Sequence, residues 1–571
     1  MHLPFETALV LAVWLYNMLI CVGLGFIILR ICNFSCENSE EVLLSFWIGW
    51  TFLIGILQIW QMIFPVNLQI ALIVMIISAM GLFWNWKSFS TVVFKRRHTT
   101  PLLFVIGLLI LALAIRATGP ITVYDTGLYH LNCIRWNTDF SLVRGLGNLH
   151  GRFAFNSSFF LYLSFLDIGP LRGLSHHFGN SLLLLVISMQ GLIGLRKLLV
   201  IHKKPEAHNF IWLIFVFPIT YLCLQYDSDT INDLPLFLLG IIMGVYLWKS
   251  IYARVNERDL VYSSLIIILF TAIGTSIKIS FAVFGGLSSL IIMGISLKHI
   301  FETKKWSLIR KCIIWPVLLS SFIIFPWMLR GVMISGYPAY PISAGSFNVT
   351  WKVPQQKAVE MVKTLKCFCR EPGVNFDEVF SSWKWLKPWF NHVSHSITFA
   401  TPLLALILGI ILAIFQFVRK GKSYYSLKLL LFFLLPSLIS ILFWFFTAPD
   451  PRYAGALFWL VAAGVLVPIF SQIDLHKNRN YLTALSLCLV VLPILLDVGF
   501  KTNKNSWSQT FYTLPKASMH NFITKSKLTV LVPDTGDQCW DSPLPCTPYP
   551  DSSLSLINAN DINSGFYIRK F

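Results

Sequence analysis

The chain is poor in charge and poorest in acid. Of its 571 residues only 12% are charged, with 26 Asp and Glu against 45 Lys and Arg, whereas a soluble domain carries about 25% charged residues. So little charge excludes an ordinary soluble enzyme. A Walker loop, a dinucleotide fingerprint, an internal repeat and low-complexity tracts are also missing, which removes the common signatures of nucleotide chemistry and of transporters built from repeated halves. The N-terminus, MHLPFETALVLAVW, has Glu6 in place of a basic leader and no small-residue cleavage site after its apolar run. It reads as a retained first helix and not as a signal peptide. The 11 cysteines mostly sit singly in apolar runs, where they behave as small apolar residues. Cys32 and Cys36 lack the His partners of a metal site; no cofactor is expected, a divalent metal being possible but not indicated.

What is present is hydrophobic: 56% of the residues, at a mean hydropathy of +0.68. Apolar runs long enough to cross the hydrocarbon core lie near 8–29, 42–63, 68–86, 101–116, 178–196, 210–226, 235–249, 260–276, 280–297, 312–329, 397–417, 427–446, 454–471 and 481–498. The expected fold is an all-α polytopic membrane protein of about fourteen transmembrane helices. The half-apolar stretch 157–177 is expected to lie at the interface or dip in without crossing, because a crossing there would invert every later loop.

Orientation follows from charge. Lys95–Arg97, Arg196 to Lys204, Lys249 to Arg258, Lys304 to Lys311, Arg419 to Lys422, and Lys477 with Arg479 fall in alternate loops, the side on which positive charge is retained. The net charge of +19 is therefore membrane anchoring, with lipids and not nucleic acid as the partner. The opposite, exoplasmic side receives 116–177, 226–234, 330–396 and the C-terminal tail. The expected organisation is N-terminal helices over 1–100 and a core over 101–329 with its first exoplasmic loop at 116–177. A large exoplasmic loop over 330–396, C-terminal helices over 397–498 and an exoplasmic segment over 499–571 complete it. In that last segment Cys539 and Cys546 bracket a Pro-rich loop. An oxidising compartment would join them; free thiols are the alternative.

The exoplasmic face gathers the polar residues. In ITVYDTGLYHLNCIRW, Asp125 follows the span that ends at Arg116, and partial desolvation there should raise its pKa and make it a better base. Its plain alternative is a helix cap. Tyr129 and His130 accompany it, and VRGLGNLHGRFAFNSS adds Asn148, His150, Arg152 and Asn156 as donors to phosphate or sugar oxygens. The turn YDSDTINDLP packs Asp227, Asp229 and Asp233 together, which requires a cation or hydroxyls to offset the charge. Lys278 in TSIKIS and Arg452 in TAPDPRYAG lie on the side disfavoured for cations, with a snorkelling lysine and a local pair to Asp450 as the plain alternatives. The large loop opens with Arg330 and with the aromatics Tyr337, Tyr340 and Trp351, which suit a stacking wall for sugar rings or a membrane-interface belt. SSWKWLKPWF reads as such a belt. One base, several cations at headgroup depth and a sugar-binding wall suit displacement at a glycosyl phosphate. Asp125 would take the acceptor's proton, and Arg152, Lys278, Arg330 and Arg452 would hold the phosphate of a polyprenyl phosphate sugar. Tyr129, His130, Asn148, His150, Asn156, Asp229, Asp233, Tyr337 and Trp351 would contact a glycan or lipid acceptor. An O-antigen polymerase or ligase, or a lipid-linked glycan transporter, is the alternative.

A span entering the exoplasm, an acid soon after it, an amphipathic helix with Tyr, and then NSSFFLYLSFLDIG together resemble the first loop of the GT-C polytopic glycosyltransferases, such as protein O-mannosyltransferases and aminoarabinose transferases. That resemblance implies that the first-loop acid, here Asp125, is a catalytic base or a donor and metal contact. Thr126 stands where that family has a second acid, so a divalent metal is not indicated. The wording YDTGLYH, SGYPAYP, APDPRYA and GDQCWDSPLPC also resembles a family of bacterial multi-pass proteins of undefined function. It implies a bacterial multi-pass protein; with the loop charges, the expected location is the inner membrane with the active site on its periplasmic face.

Overall fold

A computed structural model describes residues 2–34, 36–90, 100–200, 206–252, 256–371, 376–420, 426–472, 493–498 and 511–569. Among these, nine helices are long and apolar enough to cross a membrane: Leu3–Ile31, Ser39–Gln61, Ser175–Leu198, Asp233–Tyr252, Glu257–Ile277, Phe281–Thr303, Ser307–Ser335, Ile397–Arg419 and Leu427–Thr447. Shorter apolar helices, Leu68–Trp84, Leu103–Ala117, Asn209–Gln225 and Leu457–Phe470, coincide with further expected runs. The run expected at 481–498 lies mostly outside the described residues.

Local chemistry explains the helix ends and contacts. At Ser39–Gln61 the Asn38 side chain accepts from the Glu41 N–H while the Glu41 carboxylate reaches back to the Asn38 N–H, a reciprocal cap of otherwise orphaned donors. Small residues bring the first helices close together: a Cβ on Gly49 would lie 1.7 Å from the Cys21 carbonyl oxygen. In a lipid environment such backbone approach, and not apolar burial, drives association. Ser175–Leu198 and Glu257–Ile277 are each 89% buried and form the centre, whereas Ile397–Arg419 is 11% buried and presents its apolar surface outward.

The two ends of the bundle differ in chemistry. One carries exchanged ion pairs, Lys197 with Glu40 at 2.6 Å, Arg258 with Glu37 at 2.5 Å and Glu41 at 2.8 Å, and Lys305 with Glu257. At the other, the segments around 116–177, 226–234, 330–396 and 511–569 bond to one another. Thr122 and Val123 donate to Asp229, Gly145 N donates to Met333 O at 2.8 Å, Asn148 to Trp351 O at 2.8 Å, and Phe566 N to Arg144 O at 2.8 Å.

Two features refine the expected fold. The 157–177 stretch does not cross, in keeping with a segment that dips in, but it is no surface helix: Phe159–Phe165 has seven residues and is wholly buried between Leu131–Asp139, Ser39–Gln61 and the Ser175–Val200 helix. Seven residues rise only about 10 Å, a third of the hydrocarbon thickness. The fold is also mostly helical and not all-α. The C-terminal segment contains β1 (Met519–Ile523) antiparallel to β2 (Thr529–Pro533), and β3 (Leu554–Asn558) antiparallel to β4 (Asp561–Ile568). A bridge between Leu531 and Cys546 and the Cys539–Cys546 disulfide tie the intervening loop to β2.

Candidate functional site

The turn after the Thr100–Ala117 helix places Asp125 at the head of a π-turn, Thr126–His130, where Leu131 N–H bonds back to Thr126 O. Asp125 occupies the N-cap position yet makes no capping hydrogen bond with its side chain. Its oxygens instead serve two cations from distant segments: Arg152 Nη1 donates to Oδ1 at 3.3 Å, and Arg452 Nη1 lies 3.2 Å from Oδ2. π-turns are rare and frequent at functional sites, and this one directly follows the acid.

Arg452 links that acid to a second one. Its Nε lies 4.0 Å from Asp233 and 3.8 Å from Asp450, and Nη2 donates to the Tyr453 hydroxyl at 2.8 Å. Lys278 does not snorkel: Nζ donates to Asp233 Oδ1 at 2.5 Å and sits 3.3 Å from the centre of the Tyr453 ring. Three cations, Arg152, Lys278 and Arg452, thus meet three acids, Asp125, Asp233 and Asp450, in a charge-balanced cluster whose side chains are 10–29% exposed. The crowding in YDSDTINDLP is resolved acid by acid. Asp227 pairs with Arg116 at 2.9 Å, Asp229 accepts from Thr122 and Val123, and Asp233 takes Lys278.

Of the other expected contacts, Tyr129, His130 and His150 border this cluster and the rest lie apart from it. Asn148 and Asn156 spend their amides on carbonyls of Trp351, Phe566 and Trp327, which fixes the first loop to the Trp315–Ser335 helix and to β4. Asp229 is fully buried in its turn. Tyr337 is buried with its hydroxyl donating to Val353 O at 2.9 Å, and Trp351 donates to Val332 O beneath the Arg144 guanidinium. Tyr337 is therefore packed inside and presents no ring to a ligand, whereas Trp351 stays partly exposed with Arg144 over its ring. His150 accepts from Arg152 N with Nδ1 and packs beside Tyr549, and His130 bonds Thr230 at 2.9 Å. Tyr129 lies under the Arg152 guanidinium at 5.6 Å. Arg330 is buried elsewhere, against Gln61.

Several residues at the site carry no signal that sequence reasoning used. Tyr453 is held between Lys278 and Arg452. Trp389 Nε1 donates to Pro449 O and Trp444 Nε1 to Asp450 O, both at 2.7 Å, so part of the supposed interfacial belt clamps the turn that aims Arg452. Trp540, inside the disulfide loop, donates its N–H to Gly127 O at 2.8 Å and lies flush on that glycine, closing the far side of the Asp125 turn. A glycine beside the acid and a tryptophan between two cysteines were the available hints.

Burial pushes the Asp125 carboxyl up, as expected, but the surrounding cations, led by Arg452, outweigh it and hold the carboxyl below its ordinary value. The expectation of a raised pKa is therefore corrected: charges brought in from other segments decide the direction. Burial lowers His130 and His150 to about 3, so both rings are neutral at physiological pH. The arrangement offers an ionised carboxylate clamped by two guanidiniums, with a lysine close by. Among the described residues, no three His, Cys, Asp or Glu side chains are grouped to hold a metal ion.

No curated protein and no solved structure matches the chain. Residues 8–459, which include every member of the cluster, match the model described as Domain of unknown function (DUF8201). The chain belongs to the DUF8201 family.

Proposed function

We propose that this chain is a membrane glycosyltransferase of about fourteen spans in a bacterial inner membrane. It moves a sugar from a polyprenyl phosphate donor to a glycan or lipid acceptor on the exoplasmic face. The observation that carries the proposal is that Asp125, though at an N-cap position, makes no capping bond and takes Arg152 and Arg452, one on each oxygen. The donor phosphate competes for those two guanidiniums and for Lys278. As it draws them away, Asp125 gains free lone pairs and basicity at the moment an acceptor hydroxyl must lose its proton. The bond from the anomeric carbon to phosphate oxygen breaks, the bond to acceptor oxygen forms, the proton passes to Asp125, and polyprenyl phosphate leaves with its charge met by the cations. A polymerase or ligase resting on exoplasmic arginines alone fits less well, because both arginines here are tied to the first-loop acid.

The test is release of free polyprenyl phosphate from a panel of polyprenyl phosphate sugars by the purified protein. Asp125→Asn should insert and fold normally and lose about a hundredfold to ten-thousandfold in turnover. Turnover near wild type in that variant would return Asp125 to a structural role. Absence of release by the wild type with every donor would overturn the transferase reading.

A further inference from the structure

Behind the first loop lies a cavity of about 30 Å³, bounded by Gln61, Cys133, Asn137, Ser141, Ser157 and Arg330 among others. Arg330 is only 4% exposed, and the one hydrogen bond of its side chain among the described residues goes to Gln61 Oε1. No carboxylate among the described residues comes within ion-pair distance of it. Each of Arg152, Lys278 and Arg452, by contrast, has at least one. A guanidinium does not shed its proton, so its charge cannot be removed by titration. A buried cation left unmatched is strongly destabilising.

The cavity walls are mostly spent. Asn137 donates to Ser164, Asn156 to Trp327 O, and the Gln61 amide to Phe140 O. The rest of the Arg330 fork and the hydroxyl hydrogens of Ser141 and Ser157 remain to meet an occupant. The volume exceeds what one water needs, and a single positive charge is balanced by a single negative one. A planar fork suits two oxygens on one atom better than a spherical ion.

We infer that the Arg330 cavity is a binding site for a singly charged oxyanion group. It is distinct from the Asp125 cluster, and the inference holds whatever reaction that cluster performs. The anion is either a carboxylate or a phosphodiester carried by a lipid, and small probes separate these sources.

The experiment is thermal unfolding of the full-length protein in detergent, titrated with formate or with dimethyl phosphate, ionic strength being held constant with chloride. The expected result is a saturable rise in melting temperature with at least one probe. Preference for formate points to a carboxylate, and preference for dimethyl phosphate to a lipid phosphodiester. Arg330→Gln, which removes the charge and leaves Gln61 an amide partner, should raise the apparent dissociation constant by at least about tenfold. Arg330→Lys, which keeps charge without the fork, should fall between. No saturable rise in the wild type over chloride overturns the inference, and so does an equal response in Arg330→Gln. Should Arg330→Gln fail to fold, the wild-type titrations and Arg330→Lys still decide.

Discussion

Replacing Arg452 by lysine separates a phosphate-binding guanidinium from an ion pair that merely holds the fold. The turn itself should survive, because Asp450 fixes it through the backbone N–H of Arg452 at 3.0 Å, and Trp389 and Trp444 hold its carbonyls. What lysine cannot reproduce is the fork: Nη1 toward Asp125 and Nη2 toward Tyr453 diverge, and a single ammonium retains one of these contacts. If the role is structural, the loss is that of a partly exposed pair, about 0.2–1 kcal/mol, and any effect on turnover should stay within about fivefold. If the guanidinium also meets the leaving phosphate, loss of one preorganised donor costs about a hundredfold to a thousandfold in kcat.

The assay is polyprenyl phosphate release as a function of pH for Arg452→Lys, Arg452→Gln and Asp450→Asn. Asp125 must be ionised to accept a proton, so activity falls as pH falls through its pKa. Arg452 is the leading cation holding that pKa down. In Arg452→Gln the acid limb should therefore move to higher pH, with kcat and not KM carrying most of the loss in Arg452→Lys. A fivefold or smaller effect in Arg452→Lys with an unmoved acid limb in Arg452→Gln would refute the reasoning. Damage from Asp450→Asn equal to that from Arg452→Gln would assign the arginine to its local turn.

Two further perturbations test the framework around the site. Gly127→Ala should cost about 1–3 kcal/mol and expose the C-terminal segment to protease, because the new Cβ would lie 2.7 Å from Trp540 Cε2 and 3.0 Å from Gln538 Nε2; unchanged melting and cleavage would show that the disulfide loop is not seated there. Asp167 accepts from the Gly173 and Ser175 N–H groups, and burial pushes its carboxyl up from 3.8 to about 7. The folded state thus holds this proton more tightly than the unfolded chain does. Its contribution to stability is full below about pH 4 and is lost as pH rises toward 7. Asp167→Asn should flatten the melting temperature across that window, and an unchanged slope would exclude Asp167 as its source.

The sequence made the helices legible because their signal is local: an 18-residue apolar window needs no knowledge of what it packs against. The strands were not legible for the same reason in reverse. Met519–Ile523 and Thr529–Pro533 are five residues each, with outward faces that do not alternate cleanly, so period-2 patterning had little to register. Tyr337 misled: it has the character of a sugar platform, but whether such a ring faces a ligand or packs inside is decided by residues such as Val353, whose carbonyl takes its hydroxyl, and composition does not encode that. The direction of the Asp125 shift failed likewise, since burial was inferable from position whereas Arg452 arrives from the far end of the chain.

The charges were legible in proportion to how far they broke a rule. Lys278 and Arg452 stood out because cations are disfavoured on the side to which the loop count assigns them, and both lie in the cluster. A charge held against that bias must have its desolvation offset by a partner, so it points to an acid somewhere on the same face even when the acid cannot be named. Three acids in YDSDTINDLP made the reciprocal demand for cations or hydroxyls, and Asp233 with Lys278 satisfies both demands at once. Arg330 breaks the same rule more severely, being buried without an acid among the described residues. By the logic that paired the other two cations, the oxyanion inferred above would supply the charge that no described acid brings to Arg330.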